Sequence, residues 1–200
     1  MRVVAGTARG RRLVTPPGDG VRPTTDRVRE AVFNALGSLD VLHDAQVLDL
    51  FAGSGALGVE ALSRGAAGVH FVDSSGASLR AVRANLAACG FESAAEVVRG
   101  DAMAQVAALD DAGRRFDLAL LDPPYAFDDW PTLLARVPAE VLVIESDRPV
   151  AVDPHAEVLR ERRYGGTVVI IARRTGPRTP GRADPLDPDT LDPDPSEAPS

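Results

Sequence analysis

The stretch Asp49-Leu50-Phe51-Ala52-Gly53-Ser54-Gly55-Ala56-Leu57-Gly58 carries the information that fixes the fold class. An apolar strand precedes it and a helix opens after it, so Gly53, Gly55 and Gly58 spell G-x-G-x-x-G at a strand-to-helix turn. Outward from this turn, short apolar runs alternate with amphipathic stretches, the pattern of parallel strands joined by crossover helices. Strands are expected over 47–51, 69–73, 96–99, 116–122 and 141–145. Helices are expected over 56–64, 78–89 and 102–109, the second with Leu79, Val82 and Leu86 at helical spacing. Near the carboxyl end, VLRERRY and TVVIIARR flank Gly165-Gly166, a two-residue connection suited to a hairpin. The expected fold is therefore α/β, a mostly parallel sheet closed by an antiparallel C-terminal hairpin. Ahead of it, RVVAG and RRLVTP read as a small hairpin bearing Arg2, Arg9, Arg11 and Arg12. A helix follows, capped by Thr24, Thr25 or Asp26, with Val28, Val32 and Leu36 on one stripe.

The glycine turn admits two ligands. A dinucleotide would use the same fingerprint, with Asp73 at the end of the next strand taking a ribose hydroxyl. Three features favour a sulfonium cofactor, S-adenosylmethionine. Asp49 places an acid before the loop, where pyrophosphate would be repelled and a cation tolerated. Asp101 supplies a further strand-end acid, so Asp73 can take ribose hydroxyls and Asp101 the adenine amino group. No histidine among His43, His70 and His155 sits where hydride transfer would need one. Phe51, Ala52, Gly53, Ser54 and Gly55 would form the turn that holds the methionine carboxylate by backbone N–H groups, with Ser74 and Ala102 beside the two acids. Helix capping is the plain alternative for either acid.

The strand FDLALLD ends in Asp122-Pro123-Pro124-Tyr125. An exocyclic amino nitrogen is a poor nucleophile because its lone pair is delocalised into the base. The Asp122 carboxylate and the Pro123 carbonyl would each accept one N–H, and paired prolines fix the carbonyl's direction. Tyr125 would stack on the extruded base, and Asp122 would take the proton, directly or after methyl transfer. The plain alternative is a strand end with a rim aromatic. Phe127 and Trp130 would either help hold the base or pack in the core. Carbon methylation of cytosine needs a cysteine nucleophile, and Cys89, in the apolar helix, reads as a packed small residue.

Composition narrows the class further. All 22 basic residues are arginine, and the net charge is −7. Residues 1–30 hold seven arginines against Asp19, Asp26 and Glu30, a net +4, while the bulk balance disfavours a broad electrostatic grip on DNA. A single cysteine allows no internal disulfide, and neither a membrane span nor a signal-length apolar run is present. A soluble cytoplasmic monomer without a metal is expected. Residues 176–200 repeat Asp-Pro, lack an apolar face and are expected to be disordered.

With Asp122-Pro-Pro-Tyr125, LDLFAGSGALGVEALSRGA and RPTTDRVREAVFN together, the chain resembles the bacterial 16S (small-subunit) ribosomal RNA guanine-N2 methyltransferases of the RsmD family, from about Arg2 to Arg174. The resemblance implies a class I methyltransferase (Rossmann-like) fold with a seven-stranded sheet. It also implies a guanine in an RNA hairpin loop as target, with the small ribosomal subunit rather than naked 16S rRNA as substrate. The division it implies is a substrate-recognition extension over 1–38, using Arg9, Arg11 and Arg12, a methyltransferase domain over 39–175, and the tail. The segment 125–145 is short for the family, and the acidic tail is an addition. Two rival readings remain: a DNA adenine-N6 or cytosine-N4 methyltransferase, and a non-catalytic RNA-binding assembly factor with a relic cofactor fold.

Overall fold

A computed structural model describes residues 1–16, 26–152 and 156–175. The capping threonines at 24 and 25, His155 and the expected disorder of 176–200 fall outside these residues. The described chain forms a seven-stranded sheet of β1 (Gln46–Leu50), β2 (Gly68–Asp73), β3 (Ala95–Arg99), β4 (Phe116–Leu121), β5 (Ala139–Ser146), β6 (Ala156–Tyr164) and β7 (Thr167–Arg174), in the order β3-β2-β1-β4-β5-β7-β6. The first five strands run parallel, and β7 pairs antiparallel with both β5 and β6. The expected class and hairpin are both present.

Strand β1 is buried on both faces because helices cover both. The helices α1 (Asp26–Ser38), α2 (Ala56–Ser63) and α3 (Gly76–Cys89) lie on one face, where Val28, Val32 and Leu36 of α1 pack with Val47, Leu118 and Val143. The helices α4 (Ala102–Asp111) and α5 (Trp130–Arg136) cover the other, against Leu48, Leu121 and Ile144. Helix α5 has no counterpart in the sequence reading, since its seven residues, about two turns, are fewer than the window over which helical periodicity can be read.

The chain runs from β1 toward the β3 edge, then returns to β4 and builds toward β6. Adjacent β1 and β4 therefore form the switch point of the sheet, where open α/β folds place their ligands beyond the strand ends.

The amino-terminal segment pairs as expected, over a shorter stretch. It doubles back, but as a single antiparallel bridge, Arg2 to Arg12, flanked by the Val3 N–H to Arg11 carbonyl bond of 2.9 Å. Gly10 N–H to the Val3 carbonyl (2.9 Å) and Leu13 N–H to the Met1 carbonyl (3.1 Å) complete this short pairing, which stays shorter than a regular hairpin because the intervening backbone pairs elsewhere. The Glu60 carboxylate accepts from Val4 N–H (2.8 Å) and Ala5 N–H (3.0 Å), and Ser63 accepts from Ala8 N–H at Oγ and Thr7 N–H at its carbonyl. Glu60 is fully buried beside buried Arg29, Nε to Oε2 3.6 Å, and Arg29 also donates to Asp26. The segment is thus a strap on α2, the helix that starts at the glycine turn.

Gly6 sits under this strap at φ 82°, and a Cβ there would lie 1.7 Å from the Ser63 carbonyl oxygen. Replacing Gly6 by Ala is expected to lift the strap, costing about 1–3 kcal/mol as other overpacked contacts do, and to speed tryptic cleavage after Arg9, Arg11 and Arg12. Unchanged cleavage kinetics would contradict the strap.

Candidate active site

The register of the central strands assembles the site. Leu50 pairs with Leu121, so the next residues, Phe51 and Asp122, emerge side by side. One cavity of about 640 Å³ opens there. Its first wall is the glycine turn, Phe51 through Ser54, with Asp73 and Ser74 from the end of β2 and Asp101 and Ala102 from the end of β3. Its second wall is Asp122, Pro123, Pro124 and Tyr125. The two halves recognised separately in the sequence therefore face a single space.

Backbone conformation explains the residues of the first wall. Phe51 takes φ 70°, a left-handed conformation costing roughly 1–2 kcal/mol for a non-glycine residue. The strain turns the chain sharply from strand to helix, and the Phe51 ring meets Phe127 edge-on at 5.5 Å. Gly55, at φ 75°, caps α2, and a Cβ there would press on Val82 and Phe71 at 3.1 and 3.3 Å. The Asp73 carboxylate accepts from Gly53 N–H (2.8 Å) through one oxygen and from Ser75 N–H (2.7 Å) through the other. It holds the turn and still faces the cavity. Asp101 caps α4, accepting from Ala104 N–H at 3.0 Å, so the capping alternative is realised at a residue that also lines the cavity. Asn85, 1% exposed, donates to both the Ser54 and Val14 carbonyls and accepts from Val14 N–H. One amide joins the strap to the glycine turn.

The second wall is a tight turn. Phe127 N–H donates to the Pro124 carbonyl at 2.8 Å, which occupies that carbonyl and leaves Pro123 as the candidate acceptor beside Asp122. Arg148 donates to the Phe127 carbonyl at 2.9 Å and pins the turn from β5's end. Tyr125, 47% exposed, stands at the rim, where a base would enter. Phe127 lines the cavity, whereas Trp130 is buried in the core and packs edge-on against Phe127.

Two cofactor-site expectations change. Asp49 and Gly55 do not line the cavity. Asp49 points instead toward α2, accepting from Gly58 N–H at 2.9 Å, and is 2% exposed. Burial, opposed by the Gly58 N–H and reinforced by the nearby acids Asp122 and Asp73, pushes its carboxyl up to about 8. At neutral pH Asp49 is thus mostly uncharged and supplies little attraction for a cation, which leaves Asp73, Asp101, Asp122 and Glu145 as the acids lining the cavity.

Arg9, Arg11 and Arg12 are exposed on the strap, outside the cavity, while Met1 and Val28 reach its wall. Cys89 packs against the core away from the cavity, its thiol raised by burial and lowered by Arg11. The sequence reading did not assign Glu145, Ser146, Tyr164 and Thr167, which close the cavity from β5, β6 and β7. The available signal was the acid ending the strand after Asp122-Pro-Pro-Tyr125. Among the described residues no group of His, Cys, Asp and Glu could hold a metal, and no helix is long and apolar enough to cross a membrane.

The family described as Conserved hypothetical protein 95 matches residues 1–173. The chain belongs to this family. A Bacillus subtilis protein assigned by name to the rRNA methyltransferases is 35% identical over 187 residues, 88% of this chain and 100% of its own. The Escherichia coli ribosomal RNA small subunit methyltransferase D is 45% identical over 125 residues, 62% of this chain and 60% of its own. A solved Escherichia coli structure described as a methyltransferase superposes with TM-score 0.76 at 35% identity, over 87% of this chain and 97% of that one. The family member is a class I methyltransferase, and its methyl donor is S-adenosylmethionine. The cavity fits that group: the glycine turn at the start of α2, with Gly53 and Ser54 in the wall, faces the space for its carboxylate, and the acids at the ends of β2 and β3 face that for its ribose and adenine.

The protonation of Asp49 has a measurable sign. Its proton is held more tightly folded than unfolded, so its contribution to stability is full below about pH 4 and is lost as pH rises toward and through about 8. The urea midpoint is therefore expected to fall more between pH 6 and pH 9 in the native chain than in Asp49→Asn, which keeps an acceptor for Gly58 N–H. Parallel pH profiles would contradict a protonated Asp49.

Proposed function

We propose that the chain transfers a methyl group to the N2 amino nitrogen of a guanine in small-subunit ribosomal RNA. The observation that carries this reading is the shared cavity at the β1–β4 switch point, with Asp122 to Tyr125 on one wall and the glycine turn on the other. The names of the Bacillus subtilis and Escherichia coli relatives support the rRNA substrate.

When bound, S-adenosylmethionine supplies an electrophilic methyl group attached to a positively charged sulfur. The protein's part is to hold and prepare the amine. In this reading the Asp122 carboxylate and the Pro123 carbonyl each accept one amine hydrogen, drawing electron density onto nitrogen and fixing its direction. Asp122 then takes the proton that the alkylated nitrogen sheds. Tyr125 at the rim stacks on the flipped base and offsets part of the few kcal/mol needed to unstack it. Asp73 accepts the ribose hydroxyls and Asp101 the adenine amino group, each while keeping its backbone hydrogen bonds.

The strap and α1 form the substrate-recognition extension, with Arg9, Arg11 and Arg12 directed to phosphates. Because Asn85 links the strap to the Ser54 carbonyl, RNA held by the arginines would sit on the same rigid body as the cofactor turn. In this reading the cofactor and substrate groups stand on one chain, and the working form is a monomer acting in the cytoplasm on the assembled subunit.

The test incubates the protein and labelled S-adenosylmethionine with small subunits from cells lacking the activity, then maps methylated nucleosides. N2-methylguanosine at one position is expected. No incorporation into subunits, or stronger methylation of duplex DNA, would overturn the reading.

A further inference from the structure

We propose that Glu145 reads the base itself, accepting the N1–H of the target guanine and selecting it against purines with a lone pair at N1. The inference rests on the guanine-N2 reading above and adds the residue that sets base specificity.

The placement comes from strand register. In the parallel β4–β5 pair Leu121 lies opposite Ile144, so Asp122 and Glu145 follow side by side at adjacent strand ends, about 4.8 Å apart in the pairing direction. Leu121 and Ile144 both belong to the α4–α5 face, so alternation sends Asp122 and Glu145 to the opposite face together. Across the antiparallel pair Glu145 lies opposite Val169, which packs on that same face. Glu145 lines the cavity at 3% exposure, at the end of the otherwise apolar run VLVIE. Ser146, Tyr164 and Thr167 line the cavity beside it, and Glu145 lies one strand over from the acid to which the base would present its amine.

The chemistry of guanine matches this arrangement. Its N2 amine and its N1–H are neighbouring donors on one edge. With the amine hydrogens directed to Asp122 and Pro123, the next donor along that edge falls to an acceptor one strand over. A purine with an unprotonated N1 would set a lone pair against the Glu145 oxygen. Sites built around a substrate hydrogen bond reject analogues lacking it far more strongly than shape alone allows.

The discriminating probe is 2-aminopurine, which keeps the reactive amine but carries a lone pair at N1. Small subunits are reconstituted with guanine or 2-aminopurine at the modified position, and kcat/KM is measured for the native enzyme and Glu145→Gln. The native enzyme is expected to prefer guanine by at least about 100-fold. In Glu145→Gln, whose amide can also donate, the preference should shrink by about tenfold or more while S-adenosylhomocysteine affinity stays within about twofold. A ratio equal in the two enzymes, with guanine still methylated, would overturn the Glu145 assignment alone. Native enzyme that uses both bases equally well would do the same even if the variant failed to fold. Native enzyme that leaves guanine unmethylated would overturn the guanine reading, and the assignment with it.

Discussion

The in-register parallel pairing of β1 with β4 is the constraint on which the rest of the structure depends. Leu50 opposite Leu121 sets the strained Phe51 turn beside Asp122, and neither wall of the cavity has a position without that pairing. A slip of one residue in a strand exchanges its two faces. Here it would turn Asp122 into the core and an apolar neighbour into the cavity. Such a slip is opposed by burial on both faces, since Leu48, Leu50, Leu118 and Leu120 are all fully covered, each contributing on the order of 1.5–3 kcal/mol. The helices that cover the sheet thereby hold the chemistry in register.

Around that pair the chain uses hydrogen bonds between side chains and backbone to stiffen the turns that would otherwise move. Asp73 grips the glycine turn, Arg148 grips the turn after Asp122, and Asn85 ties the turn to the strap. Each uses a side chain from a neighbouring element, so the cavity walls inherit the rigidity of the sheet and its helices. That is the condition for orienting a weakly nucleophilic amine, because an acceptor that follows the amine as it moves cannot aim it.

Much of this was legible in the residues. The alternation of apolar runs and amphipathic stretches located the five parallel strands to within two residues, because the four inner ones, covered on both faces, must be apolar nearly throughout, while edge strand β3 keeps only the short run Val97-Val98. The Gly165-Gly166 connection marked the closing hairpin for an equally local reason. The amino-terminal arms pair as the sequence suggests, but their docking on α2 was not legible, because the donors of Val4, Ala5, Thr7 and Ala8 are satisfied by Glu60 and Ser63, more than fifty residues away. Asp49 was misread because spacing places an acid near the turn without saying which face its carboxyl takes, and the Gly58 N–H decides that. Glu145 was recognised only as a strand end, since its closeness to Asp122 arises from strand pairing that periodicity does not encode.

The central claim is that Asp122 acts on the amine and contributes little to holding the cofactor. Asp122→Asn separates these roles when S-adenosylhomocysteine affinity is measured by calorimetry and methyl transfer by single turnover on small subunits. The account predicts affinity within about twofold of the native enzyme and a transfer rate lowered by at least about 100-fold. Loss of affinity that accounts for the whole loss of rate, or a rate left unchanged, would contradict it.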